Sequence, residues 1–104
     1  MASLLIDRSM TGLASGAAEA AGVLKALANE NRLVILCKLL EQGEVSVMPL
    51  SEAVGLSQSA LSQHLAKMRE EKIVDFRREG QTVFYRVSNP DTVKILKTLK
   101  SIFC

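Results

Sequence analysis

From Leu13 onward the apolar residues return at helical spacing. Leu13, Ala17, Ala20, Ala21, Leu24 and Leu27 fall on one face, which predicts a first helix beginning at Leu13. Its alanine-rich face suits close approach to another helix. Residues 1–12 carry no such period, and the Thr11-Gly12 and Ser15-Gly16 pairs point to a flexible N-terminal segment over 1–12 ahead of a single domain over 13–104. A second helix carries Leu33, Ile35, Leu36, Leu39 and Leu40; Asn29 or Asn31 caps it, and it ends before Gly43. So wide an apolar face predicts a central, buried helix.

A short third helix is expected roughly from Pro49 to Val54, with Pro49 in its first turn, Ser46 or Val47 nearby as the entry, and Gly55 as the turn after it. In "QSALSQHLAKMREEKIV" Ser57 caps the next helix, and Leu61, Leu65 and Met68 make an i, i+4, i+7 stripe. Two helices joined by a tight glycine turn, the second polar on its outer face, outline a helix-turn-helix. The stretch "IVDFRREGQTVFYRV" then alternates apolar and polar residues on both sides of "REGQ", the signature of an antiparallel hairpin with Arg77, Arg78 and Arg86 close together. Asn89 caps a last helix that opens with Pro90 and carries Val93, Leu96, Leu99 and Phe103. The expected fold is mainly α with a β-hairpin wing: a winged helix-turn-helix in the order α-α-α-α-β-β-α.

Composition narrows the function without naming it. The 104 residues fit one domain. A formal charge of +2 is too small to argue for nucleic acid by itself, so the argument rests on where the charges sit. No run approaches the ~20 apolar residues of a membrane span, and the start lacks a basic region followed by an apolar block, so a soluble, cytoplasmic protein without membrane contact is expected. In that compartment two cysteines are reactive or metal-binding more often than a permanent crosslink.

A helix-turn-helix followed by a basic hairpin suits double-stranded DNA. Stepping 100° per residue from the buried direction at Leu61, the outward side chains are Ser59, Gln63, Ala66 and, at the edge, Ser62. Glutamine pairs bidentately with adenine, serine donates or accepts, and alanine meets a thymine methyl; Gln58 at the helix start reaches a base edge or phosphate. Lys67 and Arg69, with Arg77, Arg78, Gln81 and Arg86 of the wing, are the candidate phosphate contacts. His64 lies toward the buried side. The first and last helices have apolar faces beyond what an isolated winged helix needs. Paired with their copies they would form a homodimer presenting two reader helices to a palindromic operator. Enzyme activity is not expected: the one histidine has no acid beside it to orient it toward a cysteine, and no glycine-rich phosphate loop occurs. No cofactor is implied.

The segments "LKALANENRLVILCKLL", "LSQSALSQHLAKMREEKIV" and "REGQTVFYRV" together resemble the ArsR/SmtB family of dimeric winged-helix repressors, over roughly Ala18 to Cys104. Cys37 on the second helix with Cys104 after "SIF" resembles the sulfide-responsive branch, of the BigR and SqrR type, and the virulence regulator HlyU. That resemblance implies two thiols that react with reactive sulfur species or oxidants, a disulfide or polysulfide link between the helices, and loss of operator binding. Metal-sensing relatives use a cysteine pair near the third helix or carboxylate and histidine ligands on the last; here "EVSVMPL" has no cysteine and the last helix offers only Asp91, so no metal site is expected. On the wheel Cys104 falls beside Lys97 and Lys100, which favour a thiolate, while the helix C-terminus opposes it. Cys37, within a mostly buried helix, reads by itself as a small hydrophobe; its pairing with Cys104 makes it a sensing candidate. Two other readings stay open: a regulator without a sensing role that displaces another DNA-bound protein, and a winged helix that binds protein.

Overall fold

The computed structural model describes residues 10–103. In chain order they form α1 (Ala17–Leu27), α2 (Glu30–Gln42), β1 (Val45–Ser46), α3 (Val47–Val54), α4 (Gln58–Glu70), β2 (Val74–Glu79), β3 (Thr82–Val87) and α5 (Pro90–Phe103). The three strands make one antiparallel sheet in the order β1-β3-β2.

Local chemistry sets most boundaries. Asn29, not Asn31, caps α2, its side chain accepting from the backbone N–H of Arg32 at 3.1 Å. Ser57 caps α4 by accepting from the N–H of Ala60 at 3.1 Å. Asn89 accepts from the N–H groups of both Asp91 and Thr92, and Pro90 stands at the first helical position, where its missing donor costs nothing. Gly55 ends α3 at φ 72°, a left-handed conformation that a side chain would strain.

Two sequence expectations need correction. Helix α1 begins at Ala17 rather than Leu13, because residues 10–16 fold into turns (Leu13 N–H to Met10 O, 3.1 Å; Gly16 N–H to Leu13 O, 3.0 Å) around Gly12 at φ 102°. Helix α3 runs from Val47 with Ser46 at its cap position and Pro49 in its first turn, as the sequence indicated. The order α-α-α-α-β-β-α lacks β1, a two-residue strand too short to show a period. It exists because β3 offers it a free edge, Val45 pairing with Tyr85 and Ser46 with Phe84.

Ile35, Leu36 and Leu39 of α2, Leu50 of α3, and Leu61, Leu65 and Met68 of α4 are all fully buried, so α2 is the central element as its apolar face predicted. Each such side chain contributes roughly 1.5–3 kcal/mol relative to exposure. At the other end of α4, Arg32 donates to the carbonyl of Ala26 at 2.9 Å and lies 3.8 Å from Glu71, tying α1, α2 and α4 together. Much apolar surface stays outside: Leu13 and Leu24 beside and on α1, and Ile102 and Phe103 on α5, are all at least half exposed.

Candidate nucleic-acid interface and thiol groove

Helix α4 divides cleanly. Leu61, Leu65 and Met68 face the core, His64 is half-buried, Ser59, Ser62, Gln63 and Ala66 are exposed together away from it, and Gln58 is exposed in the first turn. Lys67 and Arg69 lie about 160° apart on the helix wheel, so they flank that surface instead of adding to one side of it. Arg69 turns toward the hairpin, its guanidinium 4.1 Å above the ring of Phe76 and 3.9 Å from Asp75. Lys67 borders a hollow of about 630 Å³ shared with Lys25, Arg32, Glu71 and Asn89.

The hairpin does not bring its arginines together as the sequence implied. β2 pairs with β3 in the register Asp75 to Arg86, Arg77 to Phe84 and Glu79 to Thr82, and paired residues share a sheet face. Arg77 and Arg86 therefore stand on one face with Asp75 and Glu79, whereas Arg78 emerges on the other, with Phe76, Val83 and Tyr85. Phe76 and Tyr85 pack with ring centroids 5.6 Å apart. The two-residue turn is Gly80 and Gln81, with Gly80 at φ 63° and Gln81 exposed at the tip.

Arg77 is heavily engaged. Its Nε lies 2.9 Å from both oxygens of Glu44, its Nη2 2.8 Å from Glu44 Oε1, and its Nη1 2.7 Å from Glu79 Oε2; its guanidinium also covers the Phe84 ring at 4.7 Å. This bonding, with the nearby charge of Arg86 in addition, holds the Glu44 carboxyl below the usual carboxylate range, and the same two carboxylates push the Arg77 guanidinium further from deprotonation. Lys67, Arg78 and Arg86 make no ion pair within 4.0 Å among the described residues. Glu44 and Glu79 are the residues that sequence reasoning missed. Glu79 was legible, since residues two apart on a strand share a face; Glu44, 33 residues from Arg77, was not.

Cys37 is exposed, not buried among the α2 leucines. It opens into an apolar groove of about 670 Å³ between α2 and α5, walled by Leu33, Leu40, Leu96, Leu99 and Phe103 with Lys97 and Lys100 at its rim. Cys104 lies outside the described residues. Among the described residues no cluster of three or more His, Cys, Asp or Glu could hold a metal ion, and no helix is long and apolar enough to cross a membrane.

Comparison with known proteins agrees with this geometry. Residues 29–75, from the cap of α2 into β2, match the model of the bacterial regulatory protein, arsR family. The chain is 49% identical over 87 residues to the transcriptional activator HlyU of Vibrio cholerae, covering 84% of this chain and 80% of that one. It is 40% identical over 86 residues to the biofilm growth-associated repressor of Xylella fastidiosa, covering 83% and 75%. The solved structure of reduced HlyU from Vibrio cholerae superposes with a TM-score of 0.81 at 47% identity, over 88% of this chain and 96% of that one. That of the repressor BigR from Xylella fastidiosa gives 0.85 at 36%, over 95% and 98%. With a helix-turn-helix, a hairpin wing and relatives that are transcriptional regulators rather than enzymes, this chain belongs to the ArsR family of bacterial regulatory proteins.

Proposed function

We propose that this ArsR-family regulator works as a homodimer on double-stranded DNA, with α4 in the major groove of each half of a palindromic operator, and that thiol chemistry at Cys37 and Cys104 switches its affinity. The observation that carries the DNA reading is the exposed set Gln58, Ser59, Ser62, Gln63 and Ala66 on a helix whose other side is locked in the core. These groups read base edges. Lys67, Arg78 and Arg86, with Gln81 at the wing tip, supply phosphate contacts. The dimer reading is supported by the apolar surface left open on and beside α1 and at the end of α5, where two copies would bury Leu13, Leu24, Ile102 and Phe103.

The sensing reading is supported by the position of the Cys37 thiol. It is open to solvent in a groove that Phe103 also lines, and Phe103 immediately precedes Cys104 in the chain. A persulfide such as glutathione persulfide transfers its sulfane sulfur to one thiol and leaves as the thiolate. The second thiol then attacks, forming the Cys37–Cys104 disulfide and releasing hydrogen sulfide. If both thiols carry sulfane sulfur first, the same condensation gives a trisulfide. Either link fastens α5 to α2 and changes the separation of the two reader helices. A relative named an activator and another named a repressor favour a second reading of direction: by occupying or vacating DNA, the protein also relieves another DNA-bound repressor.

The test treats reduced protein separately with glutathione persulfide and with peroxide, then records intact mass and binding to a duplex selected from a randomised library. Expected is a mass change mapping to a Cys37–Cys104 link, with at least tenfold weaker binding, a coupling of about 1.4 kcal/mol. Modification with unchanged binding would sink the switch and leave the DNA reading standing. A protein that selects no duplex would sink the DNA reading itself.

A further inference from the structure

The outer face of the wing is a mixed-charge surface, not a purely basic one. It carries Asp75, Glu79 and, from the residue before β1, Glu44, against Arg77 and Arg86, so three carboxylates face two guanidiniums and the formal sum is −1. A DNA backbone approaching this face meets repulsion as well as attraction. Arg77 is moreover committed on every side. Glu44 takes its Nε and Nη2, Glu79 takes its Nη1, and Phe84 lies under its plane. To contact a phosphate, this guanidinium would have to abandon a bidentate carboxylate pair, the strongest geometry available to it.

What these contacts connect is informative. Glu44 sits in the link between α2 and β1, next to the helices that carry the reader; Glu79 sits beside the hairpin turn. Arg77 lies between them, mid-strand on the outer edge strand β2, and reaches across β3 to the opposite side of the sheet. The sheet's backbone bonds fix the register of the hairpin but leave its twist relative to the helices soft, because β1 contributes only two residues. An ionic bridge from the root of the sheet to the hairpin limits that twist.

We infer that Arg77 is a positioning residue of the wing and not one of its phosphate contacts: with Glu44 and Glu79 it forms a brace that sets the angle of the hairpin to α4, leaving Arg78 as the guanidinium the wing presents on the reader side. The inference rests on the DNA reading above for its consequence, but the brace is testable without DNA.

The two assignments of Arg77 predict opposite signs for one substitution. Glu44→Gln removes a negative charge and frees Arg77. If Arg77 were a phosphate contact held back by Glu44, binding to the selected duplex would tighten and the salt dependence would steepen. With a brace, E44Q weakens binding by about 3- to 10-fold in spite of the added positive charge, as loss of a positioning contact does. Arg77→Gln weakens it similarly with no change of salt slope, and the double variant E44Q/R77Q is no worse than either single one, because one unit has been removed once. Arg78→Gln is the contrast: it lowers the magnitude of the slope by about 0.9 per protomer. In the absence of DNA, E44Q and R77Q should speed amide hydrogen exchange in β2 and β3 while leaving exchange in α2 and α4 unchanged. Tighter binding by E44Q, or a slope reduced by R77Q, overturns the inference, and so does hairpin exchange that neither variant alters. Failure of the wild type to select any duplex would instead overturn the DNA reading, with the exchange experiment still deciding the brace.

Discussion

Salt offers the most direct check on which cations meet DNA. Five cationic side chains flank α4 or stand on the wing, and Lys67, Arg78 and Arg86 are the three without an ion pair within 4.0 Å among the described residues. Arg77 is bound to two carboxylates, and Arg69 is shared between Phe76 and Asp75. Three free cations in each half of a dimer neutralise about six phosphates, so log K against log [salt] should have a slope of about −5. Raising salt from 50 to 200 mM then weakens binding by about 10³-fold, whereas engagement of all five cations would give a slope near −9 and a loss of about 10⁵-fold. Fluorescence anisotropy of a labelled duplex at five or six salt concentrations measures this directly. A slope near −9 would refute the claim that the ion pairs withhold Arg69 and Arg77 from DNA. One shallower than about −2 would refute phosphate binding by this surface altogether.

Other consequences concern the core, the thiol and acid. Leu65→Ala should cost about 3 kcal/mol and lower the melting temperature by at least about 12 °C by circular dichroism, while Gln63→Ala two residues away stays within about 0.5 kcal/mol; similar effects at the two sites would mean α4 is not divided into core and outer faces. Cys37 in the folded, reduced protein should react with iodoacetamide at a rate within about tenfold of the unfolded chain, because it is exposed; strong protection would show the groove is covered in solution. Arg77 lowers the pKa of Glu44, so the pair is intact above the ordinary carboxylate range and is lost as pH falls through that lowered value. Hairpin amides, corrected for intrinsic rates, should therefore lose protection on acidification before those of α2 do. Loss in the reverse order would argue against the brace.

How far the sequence revealed this protein depended on the distance over which each feature is encoded. Caps at Asn29, Ser57 and Asn89 and the stripe of Leu61, Leu65 and Met68 are local, and the residue types dictate them within four or seven positions. The winged-helix outline followed. Strand β1 escaped because two residues between helices have no period and become a strand only when Tyr85 and Phe84 arrive beside them. The start of α1 was misplaced because alanine and leucine fit a helix at residues 13–16 as well as a turn, and glycines on both sides decided it. Among the candidate site residues, the outward face of α4 was readable from its wheel. The neutralisation of Arg77 was not, since half of it comes from Glu44. The exposure of Cys37 was missed because it depends on where α5 lies against α2, which no local pattern records.

The short strand β1 also has a bearing on how such domains can be recombined. β3 is bonded on both sides, to β2 and to β1. A hairpin transplanted from one regulator to another as residues 74–87 alone would bring β3 with an edge shaped for a strand left behind in the donor, and an open edge of that kind invites pairing with other chains. The natural unit of exchange is therefore discontinuous: the hairpin together with Glu44, Val45 and Ser46, some thirty residues upstream. Chimaeras that respect this split should remain monodisperse where simple loop grafts aggregate.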